Sequence, residues 1–402
     1  MDEFKLRLER YQPNSLIYIE GNKNNNYFYL LRSGKILTSR IHEVSDDTNN
    51  FLKPGDPFGV ISCLANKPRI ETIRTLTPVE VIAVHRDQTT SLFSKYNSVA
   101  LKILRWFSNK LREYDSALTR LALKKPVVEN TELIKSIGDY YFKHGKIACA
   151  KYCYQKFLEI YPDHPSSYEI KQRLNQENFS SIKFFEKKDA FTRIYPDKSM
   201  LFCEHEKGDE VFIIQKGRVQ ITKIIGDEEL LLAVLGPGDI VGEMAILDNK
   251  PRNASAVTFG ETVTLTVNRE NFYSMVSKNP NIVLKILILL SERIWLIYRQ
   301  FENLSIKDEY NRILDGAMIQ LERMKVDLLN NTEYNLGLGP VDLFRSVGIK
   351  EDRFDELTNR ILEDPNFILI GHSLVIKDLK EFLKRIDSIR KLQLKNMFQN
   401  KT

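Results

Sequence analysis

The stretch GVISCLANKPRIETI, Gly59 to Ile73, returns as GEMAILDNKPRNASAV, Gly242 to Val257, with Asn-Lys-Pro-Arg in common and Gly ten residues before Arg in both. The Glu after Gly242 is Val60 in the earlier stretch, so the loop stands twice and one carboxylate is lost. Working outward at the same offset of 183 residues, Pro13 falls on Pro196, Gly34 on Gly217, KPGDPFG (Lys53 to Gly59) on GPGDIVG (Gly236 to Gly242), and LKIL at Leu101 on LKIL at Leu284. One ungapped register over about ninety residues predicts two copies of one domain.

Each copy reads as short strands followed by a helix. In the second, VFIIQKGRVQITKI (Val211 to Ile224) and LLLAVLGPGDIV (Leu230 to Val241) are β-rich runs broken by Lys-Gly and Gly-Pro-Gly turns, and ETVTLTVN (Glu261 to Asn268) closes the strand set. The run from Asn271 to Ser305 then carries apolar residues at helical spacing, which predicts a β-barrel-like domain capped by a long helix. Between the copies, from Thr131 to Pro162, the residues Gly138, Tyr141, Gly145, Ala150, Tyr154 and Pro162 follow the order and spacing of a tetratricopeptide unit, with a further helix over about Ser166 to Leu174. A single such unit is too little to stand alone, so a spacer packed on its neighbours and a peptide-binding groove are the two readings. The last hundred residues read helix, turn, helix, then two short strands around Gly371, an order that suits a winged helix. The fold class is α+β, divided into residues 1–125 (first β-roll), 126–178 (tetratricopeptide-like helical linker), 179–305 (second β-roll with its long helix) and 306–402 (winged-helix-like domain).

Composition agrees with a globular chain of several cores: 402 residues, 43% apolar, 28% charged. With 59 Lys plus Arg against 53 Asp plus Glu, the net charge of +6 neither requires nor excludes nucleic acid. Cys63, Cys149, Cys153 and Cys203 are too sparse for a disulfide framework and read as reduced cytoplasmic thiols. His144 near Cys149 and Cys153 makes a metal site conceivable, but the Cys-x-x-Cys pairs that zinc needs are missing, so no metal is expected. The N-terminal MDEFKLRLERYQPN lacks an apolar segment and is not read as a signal peptide, and no apolar run approaches a membrane span. Six dispersed histidines, with no nucleophile elbow or Walker loop, argue against an enzyme and against a catalytic cofactor.

The loop's chemistry is that of anion capture. Gly before Glu lets backbone amides approach an anion closely, Arg252 brings a planar fork suited to phosphate, and Pro251 stiffens its approach. Glu243 accepts a hydrogen bond when ionised, and a carboxylate beside a phosphate site makes sense if the ligand also offers a donor, such as a ribose 2′-hydroxyl. At these residues the second copy resembles the cyclic nucleotide-binding domain of bacterial catabolite activators and of the regulatory subunits of cAMP-dependent kinase. That family's cassette runs Phe-Gly-Glu-Leu-Ala, then Pro-Arg-x-Ala, against Val241-Gly242-Glu243-Met244-Ala245 and Pro251-Arg252-Asn253-Ala254 here. The resemblance implies backbone contacts from Gly242, Met244 and Ala245, the ribose hydroxyl on Glu243, the cyclic phosphate on Arg252, and amide contacts at Asn253 and Ala254. It also implies a base covered by the long helix, with Tyr298 as candidate and Gln300 and Glu302 as rivals. The ligand implied is a 3′,5′-cyclic mononucleotide, cAMP or cGMP, with a cyclic dinucleotide as alternative. In the first copy Val60 cannot accept a hydrogen bond, and Glu71 stands where Ala254 stands, bringing a carboxylate that repels phosphate.

Sensor, long helix and winged helix together give the architecture of a catabolite activator. The apolar surplus around Trp295 and Leu296 predicts a partner helix, most simply from a second subunit as a homodimer, with burial inside one chain as the rival. The helix after Gly348 brings Glu351, Asp352, Asp355 and Glu356. Val341 to Asn366 holds four Lys plus Arg against seven Asp plus Glu, a poor charge balance for entering a DNA groove. Two outputs follow: a nucleotide-responsive transcription regulator, or an adaptor whose winged helix and tetratricopeptide unit contact protein.

Overall fold

The computed structural model describes residues 6–41, 50–123, 133–180, 182–328, 330 and 332–399; the first five residues and Thr131 lie outside them. Two compact units emerge, one from residues 1–117, 126–228 and 232–295, the other from 118–125, 229–231 and 296–402.

In the first unit the offset of 183 holds element by element. The early roll comprises β1 (Arg7–Tyr11), β2 (Leu16–Tyr18), β3 (Tyr27–Ser33), β4 (Ile36–Ser39), β5 (Phe51–Leu52), β6 (Pro57–Phe58), α1 (Val60–Ala65), β7 (Thr72–Thr75), β8 (Val79–His85), α2 (Thr89–Lys95) and the long α3 (Asn97–Leu123). Its strands form two antiparallel four-stranded sheets, β1-β8-β3-β6 and β2-β7-β4-β5. Their inward faces close on Tyr18, Leu31, Ile36, Phe58, Ile73, Val79 and Val81.

The later roll comprises β9 (Glu186–Lys187), β10 (Thr192–Tyr195), β11 (Met200–Phe202), β12 (Glu210–Ile225), β13 (Glu228–Leu235), β14 (Ile240–Val241), α8 (Glu243–Asp248), β15 (Ser255–Asn268), α9 (Arg269–Lys278) and α10 (Pro280–Leu304). Here β12 and β15 are continuous where the early roll has two shorter strands each, and their pairing shifts register at Lys216 and Arg218. The single helical run expected from Asn271 is broken at Asn279, whose extended backbone ends α9, with Pro280 opening α10.

Between the rolls lie α4 (Leu133–Lys143), α5 (Ile147–Ile160), α6 (Ser167–Leu174) and the one-turn α7 (Glu177–Ser180). Gly138 faces the Tyr154 ring, where a Cβ would stand 2.8 Å from it, so glycine sets how closely α4 and α5 approach. The pair does not stand apart: Tyr141, Cys153, Tyr154 and Phe157 share one core with Met200, Cys203 and Val257 of the later roll. Tyr152 Oη donates to Leu201 O, and Cys149 Sγ to Lys198 O. That is the packed-spacer arrangement, with this face of α5 already covered. All four cysteines are buried, and the His144 ring is engaged by the Tyr140 carbonyl.

The second unit contains α11 (Glu309–Arg323), β16 (Tyr334–Asn335), α12 (Pro340–Ser346), α13 (Phe354–Glu363), the hairpin β17 (Phe367–Ile370) and β18 (Ser373–Ile376), and α14 (Leu379–Gln399). The strands pair in the order β16-β18-β17, and the hairpin turns at Gly371. Leu314, Leu343, Phe344, Leu357, Ile361, Leu374, Ile376 and Phe382 share its core.

The apolar surplus of α10 is used within one chain. Of its residues only Asn281 and Lys285 are exposed; Ile294, Trp295, Ile297, Tyr298 and Phe301 are buried, and Leu296 is half-buried. Ile282, Leu284, Ile288 and Leu289 are likewise half-buried. Among the described residues no helix is long and apolar enough to cross a membrane.

Candidate functional site

The two cassettes have the same frame. Gly242 opens α8 with φ 88°, Gly59 opens α1 with φ 67°, and both helices end on an asparagine with φ 54°. A Cβ on either glycine would stand 2.5 Å from an arginine Nη1, so glycine is required both by the backbone and by the close approach. That arginine is Arg252 in the later roll. Its Nη1 donates to Gly242 O (2.6 Å), its Nη2 to Glu210 O (2.8 Å), and the guanidinium lies 4.2 Å from the centre of the Phe202 ring. In the early roll Arg69 does the same, to Gly59 O (2.9 Å) and Tyr27 O (2.7 Å), over the Tyr18 ring. The shared arginine is thus first a brace, tying the cassette to the strand that runs past it.

The rolls differ in what stands beside the brace. In the early one Glu71 accepts from Tyr18 Oη (3.0 Å), pairs with Arg40 Nη2 (2.9 Å) and lies 3.4 Å from the Gly59 amide. The carboxylate expected to repel a phosphate is held inside the early roll by Tyr18 and Arg40, and Val60 is buried.

In the later roll Gly242, Glu243, Met244, Ala245, Arg252, Asn253 and Ala254 line one cavity of about 30 Å³, together with Phe202, Asp115 and Arg293. Glu243 is fully buried, and its carboxylate accepts no hydrogen bond from another residue; its nearest cation is Arg293, at 3.5 Å. Burial raises its pKa, with Arg293 opposing. Arg252 Nε is buried without an acceptor. Burial lowers the pKa of Arg252, with Glu206 opposing, while burial raises Glu206 to about 7, with Arg252 opposing. A larger hollow of about 240 Å³ lies between α5 and β10–β11, but its charges are paired internally, Arg193 with Glu210 and Lys156 with Glu159. Only the smaller cavity combines buried charge with unsatisfied polar atoms among these two.

Of the expected site residues, seven converge. The residue that α10 brings to the cavity is Arg293; Tyr298 lies five residues further along the same helix and is buried. Asp115 was missed as well. It comes from α3 of the early roll, is fully buried, accepts from Asn253 Nδ2 (2.9 Å) and lies 3.6 Å from Arg293. Burial raises its pKa against the pull of Arg293. A signal for it exists, because Leu104, Ser108, Leu111, Asp115 and Leu118 recur at four- and three-residue spacing and all are buried, which puts a carboxylate on an apolar stripe.

The model of the cyclic nucleotide-binding domain matches residues 8–96 and again 192–279. The cyclic AMP receptor protein of Thermus thermophilus is 30% identical over 150 residues, 37% of this chain and 63% of that protein, so less than two thirds of that relative's length is spanned. A CRP-like cAMP-activated global transcriptional regulator of Mycobacterium tuberculosis is 25% identical over 192 residues, 48% of this chain and 86% of that protein. Among solved structures, a CooA mutant from Carboxydothermus hydrogenoformans superimposes with a TM-score of 0.40 at 22% identity, over 53% of this chain and 93% of that one. The chain therefore holds two copies of the cyclic nucleotide-binding domain and has homologues among the cyclic AMP receptor proteins.

Proposed function

We propose that the chain is a cyclic nucleotide-sensing regulatory protein that binds one 3′,5′-cyclic mononucleotide, cAMP or cGMP, in the later roll. The observation that carries this reading is the meeting of Glu243 and Arg252, both buried and both with unsatisfied polar atoms, in one cavity lined by the whole cassette. Glu243 takes the ribose 2′-hydroxyl, and Arg252 meets the cyclic phosphate while keeping its carbonyl braces. The names of the matched relatives support cAMP and a transcriptional output. A thermal-shift series with cyclic mononucleotides and cyclic dinucleotides tests it: stabilisation by a mononucleotide that Glu243→Ala weakens is expected, and stabilisation by a dinucleotide alone overturns it.

A second reading of the output, contact with protein through a winged-helix-like domain in the second unit, is favoured by its charge. Arg353 pairs with Glu309 (3.1 Å) and Glu356, and Arg345 with Glu351 (2.9 Å) and Glu229 (3.5 Å). Arg345 and Arg353, which flank the proposed reading helix α13, are thus engaged by acids of the same unit.

A further inference from the structure

One stripe of α3, the long helix of the early roll, lies along the later roll's cassette. Ser108 Oγ donates to Asp248 Oδ2 (3.1 Å) and lies 3.3 Å from Met244 O. One turn on, Arg112 clasps the Asp248 carboxylate through both Nε and Nη2, the latter at 3.0 Å. Asp115 then holds Asn253, the residue after Arg252. Both ends of the cassette are therefore pinned from the early roll. The relation is reciprocal: Trp295, which stands 183 residues after Arg112, donates Nε1 to Pro68 O of the early cassette (3.3 Å), under the Lys67 ammonium. Pinned in this way, the later cavity measures about 30 Å³, whereas small-molecule sites run to roughly 300–1,000 Å³. Arg293, bridging Glu243 and Asp115, sits against the carboxylate that a ribose would need.

We propose that α3 is a lid in cis on the later cassette, and that the early roll carries that lid. Resting on the nucleotide reading above, this makes the early domain an internal competitor: a cyclic nucleotide enters when the Arg112–Asp248 clasp opens and Arg293 releases Glu243. Apparent affinity is then the intrinsic affinity reduced by the fraction of chains whose lid is open.

The test uses the full chain, free and with cyclic AMP and cyclic GMP as probes. Hydrogen exchange is followed at the amides of residues 243–253, with residues 60–65 as internal control, in wild type, Arg112→Ala, Ser108→Ala and Arg112→Lys. A clasp of this kind predicts that Arg112→Ala speeds exchange at 243–253 about tenfold without change at 60–65, and that Arg112→Lys restores part of the protection. Calorimetry on the same proteins should show Arg112→Ala binding the nucleotide several-fold more tightly than wild type. Unchanged exchange, or weaker binding by Arg112→Ala, overturns the lid. Faster exchange with no nucleotide bound by any variant supports the lid and refutes the nucleotide reading alone.

Discussion

Arg252 donates through Nη1 to the carbonyl of Gly242 at 2.6 Å, and 183 residues earlier Arg69 donates in the same way to Gly59 at 2.9 Å. This answers why Asn-Lys-Pro-Arg stands twice although one carboxylate is gone. The arginine holds a left-handed glycine turn to the neighbouring strand, a task that persists whether or not a ligand binds. Glu243 has no such structural task in the early roll, where Val60 fills the same position with apolar burial.

Arg69→Ala and Arg252→Ala should therefore both destabilise the chain, each by about 2–4 kcal/mol, because two carbonyls lose their donors in a buried setting. Urea denaturation checks this. A neutral Arg69→Ala would show that the brace in the early roll contributes nothing.

Glu206 gives a pH signature. Its pKa is raised by burial from 4.5 to about 7, so the folded state binds the proton more tightly than the unfolded one. Its contribution to stability is fully present below pH 4.5 and is lost as pH rises through about 7. Glu206→Gln should match wild type in acid and exceed it above neutrality, by up to about 3 kcal/mol. Denaturation from pH 4.5 to 8.5 measures the difference; a difference independent of pH would contradict the assignment.

Light scattering at micromolar concentration is expected to return the mass of one chain, 46.8 kDa, because Ile294, Trp295, Ile297, Tyr298 and Phe301 of α10 are already buried within it. The mass of two chains would show that a surface other than this helix joins them.

Binding to duplex DNA is expected to be weak, steeply salt-dependent and nearly indifferent to sequence, since Arg345, Arg353, Arg385 and Arg390 are each paired with acids of their own unit. Fluorescence anisotropy at physiological salt, with a duplex selected from random DNA, reads this. Tight, nucleotide-dependent binding to one palindrome would restore an activator's output.

Much of this could be read from the sequence because its signals are local. The offset, the glycine turn, the convergence of Gly242 through Ala245 with Arg252 through Ala254, and the hairpin at Gly371 all lie within short segments. What escaped depends on distant chain. The Glu210 carbonyl that braces Arg252 lies 42 residues away, and Asp115, which holds Asn253, lies 138 away, in the other copy. Backbone acceptors leave no mark on residue type, so the brace could not be read. Asp115 could have been, from its place on an apolar stripe. Tyr298 rests on the family's habit of covering the base with the long helix, and Arg293, which α10 brings to the cavity, was not singled out.

Calorimetric titration of the full chain with cyclic AMP and cyclic GMP, each beside its 2′-deoxy analogue, tests the central claim most directly. The account predicts one nucleotide per chain, bound more weakly by about 1.5–3 kcal/mol when the 2′-hydroxyl is missing, the range for a hydrogen bond to a charged group. Glu243→Ala should erase that discrimination, and Glu71→Ala should leave the stoichiometry at one. Two equivalent sites per chain, or binding indifferent to both the 2′-hydroxyl and Glu243, would contradict it.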